Sequence, residues 1–237
     1  MFKAETIKKY IMKAYALIAT LIALIPNLHV SISTGNRKIG RFLNASLAPI
    51  LSCLNCAKCM WICYDLKACL FRPTVLFARI KNFLIASKDI DRYFSEIIAR
   101  IEKRDKSNRG LKGFRWHVGG DIISYEYFTY MIKIAKMFPN WEFWTYTKAY
   151  WIVNRYVSEH GNDRHIAIPK NLHIMFSRWQ GMAMNNPYQF AEFRCILKDG
   201  TSLPKQENEM YCLGNCEICF EHKTGCIGEC NCCVNEH

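Results

Sequence analysis

Residues 114–138 read FRWHVGGDIISYEYFTYMIKIAKMF and decide the fold of the chain. The β-branched and aromatic run at 114–118 predicts a strand, and the two glycines and aspartate at 119–121 end it. Apolar residues then recur at helical spacing from Ser124 until Pro139 stops the helix. A strand that leads directly into a helix is the repeating unit of a parallel sheet.

The same order of strand and helix recurs further along the chain. Residues 141–147 predict a strand and 150–159 a helix, while 172–176 predict a third strand with a helix expected at 188–197. Three such units require helical crossovers between parallel strands. We therefore predict an α/β fold: a parallel sheet of βα units that forms a partial, TIM-like barrel, with a cysteine-rich C-terminal appendage.

Composition divides the chain into three regions. An N-terminal helical segment covers 1–32, an α/β core covers 33–200 and contains a cysteine loop at 53–69, and a cysteine-rich, metal-binding tail covers 201–237. A polar stretch precedes the tail cysteines. Hydrophobic residues make up 51% of the chain, which is ample for a buried core.

The N-terminal segment has a lysine-rich start and an uncharged run at 14–25 that ends at Pro26. This is the outline of a signal peptide, but no small-x-small cleavage site follows, and the run is too short to cross about 30 Å of hydrocarbon. An odd, clustered set of cysteines also suits a reducing cytosol. We predict a buried amphipathic helix, a cytoplasmic protein and no stable membrane association.

The thirteen cysteines fall into two knots, Cys53–Cys69 and Cys212–Cys233, and only Cys195 lies outside them. A disulfide framework would spread its cysteines to join distant elements, usually in a short secreted chain. Clustered cysteines instead place several thiolates around one point. The pattern therefore predicts a metal ion or an iron–sulfur cluster at each knot.

The first knot has the spacing Cys53-x2-Cys56-x2-Cys59-x3-Cys63. Four thiolates at this spacing suit a [4Fe–4S] cluster, because each short loop can wrap one corner of it. Bacterial ferredoxins use the same run followed by proline, where this chain has Tyr64. Zinc also accepts four thiolates, so spacing alone leaves a structural zinc site open.

The tail offers a second set of candidate ligands. We predict that a second cluster or a zinc ion is held there by cysteines drawn from Cys212, Cys216, Cys219, Cys226 and Cys230. Cys230, Cys232 and Cys233 are too crowded for all three to ligate one metal.

The charge of the chain points towards anionic partners. The sequence has 32 lysines and arginines against 20 acidic residues, a net charge of +12. This excess attracts phosphates and speeds association with nucleic acid. No RNP, zinc-finger or helix-turn-helix pattern organises the basic residues, so a solvated basic surface is the alternative.

Polar residues follow the predicted strands at the edge where ligands bind in α/β folds. Alternation along the first strand places Arg115 and His117 on one face and the apolar residues Phe114, Trp116 and Val118 on the other. Lys148 follows the second predicted strand, and Arg178 follows the third. We predict that an anionic substrate is held by Arg115, His117, Lys148 and Arg178.

The two glycines after the first strand permit a ligand to approach the backbone, and the aspartate can bind an amine, a hydroxyl or a cation. We therefore predict a cofactor site at Gly119, Gly120 and Asp121. Structural ion pairs and ordinary loop chemistry are the alternative explanations for these residues. No Ser-His-Asp arrangement, Walker loop or HExxH motif is present, so no catalytic residue is assigned.

Together these residues resemble the phage and prophage protein family called gene product 88. The motifs that carry the resemblance are Ser33-Thr34-Gly35-Asn36-Arg37-Lys38, Cys63-Tyr64-Asp65-Leu66-Lys67-Ala68, Phe114-Arg115-Trp116-His117-Val118-Gly119-Gly120-Asp121-Ile122, Tyr146-Thr147-Lys148 and Ser177-Arg178-Trp179-Gln180-Gly181. The family resemblance implies a phage origin and a bacterial host cytoplasm, but no settled reaction.

The family's cysteine loop often reads C-x5-C-x3-C followed by tyrosine, which matches Cys53, Cys59 and Cys63 and leaves Cys56 outside the pattern. Two residues depart from the family. Asp65 stands where many members have alanine, and Gly119 stands where serine is common.

The order of elements is also similar to that of radical SAM enzymes, in which a cysteine loop, a helix and a strand ending in a Gly-Gly-Glu type motif follow one another. The similarity implies three cysteine ligands, an open iron that binds S-adenosylmethionine, and Asp121 in place of the glutamate. The usual C-x3-C-x2-C spacing is absent from the loop and occurs instead at Cys212, Cys216 and Cys219. The tail resembles an auxiliary-cluster domain.

Three hypotheses follow. The first is an iron–sulfur redox enzyme of radical-SAM-like type that takes electrons from a donor and acts on a phosphate-bearing or nucleic-acid-related substrate. The second is a zinc-stabilised protein that binds nucleic acid or a host partner, with purely structural metal sites. The third is a cluster that only braces the fold.

Overall fold

The structure, a computed structural model, describes residues 2–56, 58–107 and 110–235. It contains an eight-stranded sheet in which every pair of neighbours is parallel except the first. The strands are β1 (Ile32–Ser33), β2 (Leu43–Ala45), β3 (Gly113–Trp116), β4 (Glu142–Thr147), β5 (Leu172–Arg178), β6 (Glu192–Ile196), β7 (Met210–Tyr211) and β8 (Cys232–Asn235). Their order across the sheet is β1-β2-β3-β4-β5-β6-β8-β7.

Helices connect most of the parallel strands. They are α1 (Phe2–Ala23), α2 (Tyr64–Phe71), α3 (Pro73–Lys88), α4 (Ile90–Lys106), α5 (Tyr125–Met137), α6 (Tyr150–Glu159), α7 (Arg164–Ala167) and α8 (Cys216–His222), with a 3-10 turn at Lys58–Met60. The predicted α/β class is therefore confirmed. A barrel is not confirmed, because the sheet is open: β1 and β7 are its two edges, and in the described part of the chain they do not pair.

The βα units that were predicted around residue 114 form as expected. Ser124 caps α5, since its hydroxyl accepts a hydrogen bond from the Tyr127 amide, and the helix ends just before Pro139. Helix α6 has the predicted bounds, and β5 begins at the predicted residue. Aromatic side chains of β3 and α4, among them Trp116 and Phe94, pack into the main core between the sheet and its helices.

The helix predicted at 188–197 is wrong. Residues Glu192–Ile196 form β6, which pairs in parallel with β5 on one side and β8 on the other. The local pattern favoured a helix, but two neighbouring strands offer this segment a full set of backbone partners. Tertiary pairing of this kind outweighs local preference in short apolar segments.

The C-terminal segment is part of the sheet. Strand β8 lies between β6 and β7, so that Cys232 is opposite Phe193 on one side and Met210 on the other. The cysteine-rich tail is therefore built into the sheet through β7 and β8.

Helix α1 lies against α3 and the cysteine loop. Its residues Tyr15 and Ile22 are buried in a cluster with Ile80 of α3 and Met60 of the loop. The predicted helix is present, but only one of its faces is buried. Within the described residues, no helix has both the length and the apolar character needed to span a membrane.

Candidate metal and ligand site

A cavity of about 370 Å³ lies where the parallel strands end and where the two cysteine segments meet. Residues that follow β3, β4 and β5 contribute to its wall, as expected for a ligand site in an α/β fold. Nine cysteines also line it: Cys53, Cys56, Cys59 and Cys63 of the loop, Cys212, Cys216, Cys219 and Cys226 of the tail, and Cys195 of β6. The structure thus brings together cysteines that are more than 140 residues apart in the chain.

The cysteine loop connects β2 to α2 and is fixed at both ends by polar contacts. Near its start, the Ser46 hydroxyl accepts a hydrogen bond from the Val118 amide at 3.1 Å. At its end, Cys63 caps α2, because its sulfur accepts a hydrogen bond from the Leu66 amide at 3.4 Å. The last cysteine of the loop is therefore oriented by the helix that follows it.

A buried ion pair holds the first turn of α2. Asp65 is 2% exposed, and one of its carboxylate oxygens accepts a hydrogen bond from Arg79 Nη2 of α3 at 3.0 Å. Asp65 also lies against the end of β3. A Cβ atom on Gly119 would stand 1.7 Å from Asp65 Oδ2, so only glycine leaves room for this carboxylate.

The Asp65 carboxylate occupies the space that a side chain at position 119 would need. Gly120 has a similar role, since its Cβ would meet the Ser52 hydroxyl at 2.5 Å and its φ is +86°. Both glycines line the cavity. Their main role is to leave room for the cysteine loop to pack onto the end of β3.

The loop sulfurs are close to one another. Cys56 hydrogen-bonds with Cys59, and this contact together with burial raises the pKa of the Cys56 thiol. Burial raises the pKa of Cys53 to about 12 and also raises that of Cys63. The thiols are therefore protonated at neutral pH in the absence of a metal, and a metal that bound them would displace their protons.

No cysteine in the described part of the chain forms a disulfide bond. Over the same residues, no three cysteine, histidine, aspartate or glutamate side chains stand in an arrangement that could already hold a metal ion. The donor set itself fits a thiophilic metal or cluster, because several thiols face one cavity and are not consumed by disulfides.

The tail sulfurs form a second group around α8. Burial and the neighbouring Cys226 raise the pKa of Cys219 to about 12, and burial raises that of Cys216. Cys226 also contacts the Tyr146 hydroxyl at 2.7 Å. The predicted ligand Cys230 does not line the cavity, and its thiol donates to the Gly228 carbonyl at 3.7 Å.

Arg115 lies between the sheet and the tail. Its guanidinium stacks over the Tyr146 ring at 4.9 Å, and Nη1 is 3.9 Å from Cys216 Sγ. The side chain is buried, and its Nε has no hydrogen-bond partner. Arg115 has no carboxylate within 4.0 Å among the described residues. A buried guanidinium without an anion is costly, so an anionic group in the cavity would stabilise it.

His117 faces the helices and not the side of Arg115, so the predicted alternation is wrong from this residue onward. Strand β3 ends at Trp116, and His117 has a φ of +52°, which reverses the direction of its side chain. Its Nδ1 is 3.2 Å from the Thr145 hydroxyl and its Nε2 is 3.0 Å from the Tyr127 hydroxyl. Val118 is turned to the opposite face, where it packs in the cluster beneath the tail.

Burial and the nearby Arg115 lower the pKa of His117 to about 3. The imidazole is therefore neutral at physiological pH, and both of its nitrogens have partners inside the protein. It borders the cavity, but it offers no positive charge to an anionic substrate.

Asp121 and Lys148 lie together at the ends of β3 and β4. Asp121 is buried and accepts hydrogen bonds from the Thr147 hydroxyl at 2.6 Å and from the Lys148 amide at 2.9 Å. Burial raises the pKa of this carboxyl group, although Lys148 and these hydrogen bonds oppose the effect. Asp121 therefore joins the two strand ends and presents a carboxylate at the cavity wall.

Lys148 directs its ammonium group into the cavity. Burial alone would lower the pKa of Lys148, but the opposing influence of Cys59 and Asp121 raises it. The ammonium is 5.7 Å from the centre of the Trp179 ring. Lys148 thus brings a positive charge towards the sulfurs of the first cysteine loop.

Arg178 does not line the cavity. Its guanidinium is half exposed and pairs with Glu192 at 3.2 Å. Of the four residues predicted to hold an anionic substrate, Arg115 and Lys148 bring charge to the cavity, His117 is neutral there, and Arg178 lies outside it.

Sequence reasoning missed several residues of the site. Tyr146 contacts both Arg115 and Cys226, and Trp179 lies beside Lys148. Tyr146 could have been found from strand alternation, since it shares a face with Trp144, which packs beneath the tail. Nothing in the sequence marks Arg79 as the partner of Asp65.

Comparison with family models finds a match over more than half of the chain. The model of the family described as gene product 88 matches residues 28–189. This range contains the first cysteine loop and strands β1 to β5, and it ends before the tail. No curated protein and no solved structure matches the chain.

Proposed function

The chain belongs to the gene product 88 family, and we propose that this member is an iron–sulfur redox enzyme of radical-SAM-like type. The observation that carries the proposal is the cavity. It has the volume of a small-molecule site, its wall contains the loop cysteines, and the buried Arg115 beside it has an Nε without a hydrogen-bond partner. A metal that only braced the fold would need no such space next to its ligands.

Cys53, Cys59 and Cys63 would hold a [4Fe–4S] cluster, and Cys56 is a fourth candidate ligand. When bound, the cluster supplies single electrons to a molecule in the cavity. The protein contributes orientation: the helix cap on Cys63 and the packing of Asp65 against Gly119 fix the loop relative to the strand ends. An electron donor is the partner that this chemistry requires.

Gly119, Gly120 and Asp121 are the proposed contacts for S-adenosylmethionine. The Asp121 carboxylate lies at the cavity wall and suits an amino group. Asp65 and Ser52 fill the space that side chains at positions 119 and 120 would occupy. The two glycines therefore let these residues approach and so shape this wall of the cavity.

Arg115 and Lys148 are the proposed contacts for the substrate. Both are cations at the cavity, and Arg115 Nε has no partner. They suit a carboxylate or a phosphate, which agrees with the net charge of +12 and with a phosphate-bearing or nucleic-acid-related substrate. The partly buried site indicates a small molecule or a single extruded nucleotide and not an intact duplex.

The tail would hold a second metal centre. Cys212, Cys216, Cys219 and Cys226 border the cavity, so either a second cluster or a zinc ion there would face the same ligand. Cys230 remains a weaker candidate because it lies outside the wall.

A second candidate function is a zinc-stabilised protein that binds nucleic acid or a host partner. The basic charge favours it, and zinc can use both sets of thiols. This alternative predicts colourless protein with stoichiometric zinc, and DNA or RNA affinity that falls steeply as salt is added.

The test is anaerobic purification followed by iron, sulfide and zinc analysis. Electron paramagnetic resonance spectra of the reduced protein are then recorded with and without S-adenosylmethionine. The proposal expects iron and sulfide in equal amounts and a spectrum that changes when the cofactor is added. Zinc without sulfide would overturn it and favour the binding protein.

Two variants sharpen this test. Cys56→Ser distinguishes three ligands from four: a cofactor-sensitive cluster retained in this variant supports an open iron, whereas loss of the cluster makes Cys56 a ligand. Cys195→Ser is the control, because Cys195 borders the cavity but belongs to neither proposed ligand set.

A further inference from the structure

Helix α1 has an apolar face that no other described segment of the chain covers. One side of the helix, with Tyr15 and Ile22, packs on α3 and the cysteine loop. A second side is exposed, and Tyr10, Leu17 and Leu21 are each about 60% exposed or more. This second side, here called the outer seam, consists of Ile7, Tyr10, Ala14, Leu17 and Leu21 of α1 and of Leu24, which directly follows the helix and whose amide donates to the Leu21 carbonyl at 3.3 Å.

The residues of the outer seam are spaced alternately three and four apart. This is the a and d pattern of a heptad repeat, sustained from Ile7 to Leu24, about two and a half heptads. Isolated exposed leucines are ordinary, but a contiguous apolar stripe on a folded protein marks an interaction surface. A seam with this period is complementary to another helix.

We propose that the outer seam is the interface of a symmetric dimer, in which α1 packs antiparallel against α1 of a second copy. The centre of the seam lies between Ala14 and Leu17. A two-fold axis at that point places Ile7 opposite Leu24 of the second copy and Tyr10 opposite its Leu21. An interface of this kind is self-complementary, as two-fold symmetry requires.

The distribution of charge on α1 favours the antiparallel arrangement. Lys8, Lys9 and Lys13 lie in the first half of the helix, while residues 14–25 carry no charge. A parallel pair would bring the lysines of both copies side by side. The antiparallel pair places each lysine-rich half against the uncharged half of the other copy and also opposes the two helix dipoles.

The same distribution disfavours a lipid surface as the partner. A helix that lies on an anionic membrane has basic residues along its polar face, whereas those of α1 are confined to one end. The small side chain of Ala14 at the centre of the seam also suits close approach of a second helix.

The dimer would also brace the first cysteine loop. The inner side of α1 packs in the cluster that includes Met60, Cys56 and Cys63, so a helix held from outside is less free to leave the loop. This inference does not depend on which metal the loop binds.

The test is the molar mass of the full chain in solution, measured by size-exclusion chromatography with light scattering. A dimer has twice the chain mass of 27.7 kDa. The double variant Leu17→Gln/Leu21→Gln should be monomeric. The matched control Ala16→Gln/Ala23→Gln adds the same polar side chains to exposed positions outside the seam, brings no charge near the lysines of the other copy, and should remain dimeric.

Circular dichroism of each variant shows whether it is folded. A monomeric wild type at high concentration, or a dimer that the seam variant leaves intact, would overturn the proposal. Binding of a monomeric wild type to anionic vesicles, lost in the seam variant, would assign the seam to a membrane instead.

A photo-reactive amino acid at position 10 tests the orientation of the helices. The antiparallel dimer should give crosslinks to residues around Leu21 of the second copy. Crosslinks between the two copies confined to residues 7–13 would overturn the antiparallel arrangement.

Discussion

The first cysteine loop and the cysteine-rich tail line the same cavity but are held there by different means. The loop is fixed by buried side-chain contacts: the Asp65–Arg79 ion pair and the close fit of Asp65 on Gly119. The tail is fixed by the backbone pairing of β8 in the sheet. Side-chain contacts to the sheet, such as the buried Arg194–Glu209 pair and the group around His173, add to this backbone pairing. Loop geometry should therefore depend on single side chains, and tail geometry on the sheet.

The largest expected effect separates the two metal sites. In the variant Cys53→Ser/Cys59→Ser/Cys63→Ser, the loop loses its thiolates and should lose the cluster whose spectrum responds to S-adenosylmethionine. In Cys216→Ser/Cys219→Ser/Cys226→Ser that signal should persist while the total metal content falls. Metal analysis and electron paramagnetic resonance measure both. Equal loss of the signal in the two variants would show that the segments form a single centre.

The next largest effect comes from the anchor of the loop. Asp65→Asn leaves the Arg79 guanidinium buried without its carboxylate, and removing one partner of such a pair costs about 3–5 kcal/mol of unfolding free energy. Chemical denaturation measures it. Arg155→Gln is the control, since it breaks a solvent-exposed pair with Glu159, and such pairs add little to stability. A cost for Asp65→Asn as small as that of the control would contradict the anchoring role.

The fit between the loop and β3 gives an intermediate effect. Gly119→Ser puts a side chain into the space of the Asp65 carboxylate, and overpacking of this kind costs about 1–3 kcal/mol. Asp65→Ala makes room for it, so the double variant should be more stable than the two single effects predict. A thermodynamic cycle of the four proteins measures this coupling. Simple additivity would show that the two positions do not compete for space.

The smallest effect concerns the tail and depends on pH. His173 Nε2 is 2.8 Å from Glu142, and Nδ1 is 3.6 Å from Glu229 of the tail. Burial opposes the charged imidazole, but the two carboxylates raise the pKa of His173 above its ordinary value. The protonated histidine therefore adds stability below pH about 6.5, and this is lost as pH rises through the folded-state pKa.

The same contacts lower the pKa values of Glu142 and Glu229. The stability that the two carboxylates contribute is therefore present above pH about 4.5 and is lost as pH falls through their lowered folded-state pKa values. The unfolding free energy of wild type minus that of His173→Gln should thus be greatest between these limits and less than about 1 kcal/mol. Denaturation at a series of pH values tests this. A difference that did not vary with pH would rule out the histidine as a charged link to the tail.

The parts of the fold that were predictable from sequence are those where local signals and tertiary contacts agree. Helix α5 has a capping serine, a periodic apolar face and a proline after its end, so its bounds were predicted within one residue. The segment at 192–196 has no such caps. Its strand is created by neighbours that come from β5 and from the distant tail.

Some residues of the candidate site were also predictable from the sequence, and others were not. Arg115, Asp121 and Lys148 were expected at the ends of strands, and the structure brings them to one cavity. The orientation of His117 was not predictable, because strand alternation assumes an extended backbone and His117 has a positive φ. The pairing of Asp65 with Arg79 was not predictable either, since it depends on the angle between two helices.

The sequence by itself determined the α/β class, the clustering of the cysteines and the basic charge, because each is a property of composition or of short-range spacing. Only the tertiary structure decided that loop and tail face one cavity, that β8 enters the sheet, and that a buried Arg115 lies between the sheet and the tail. These arrangements join segments that are between about forty and more than one hundred positions apart. No local pattern encodes them, since they follow from the order in which strands pair across the sheet.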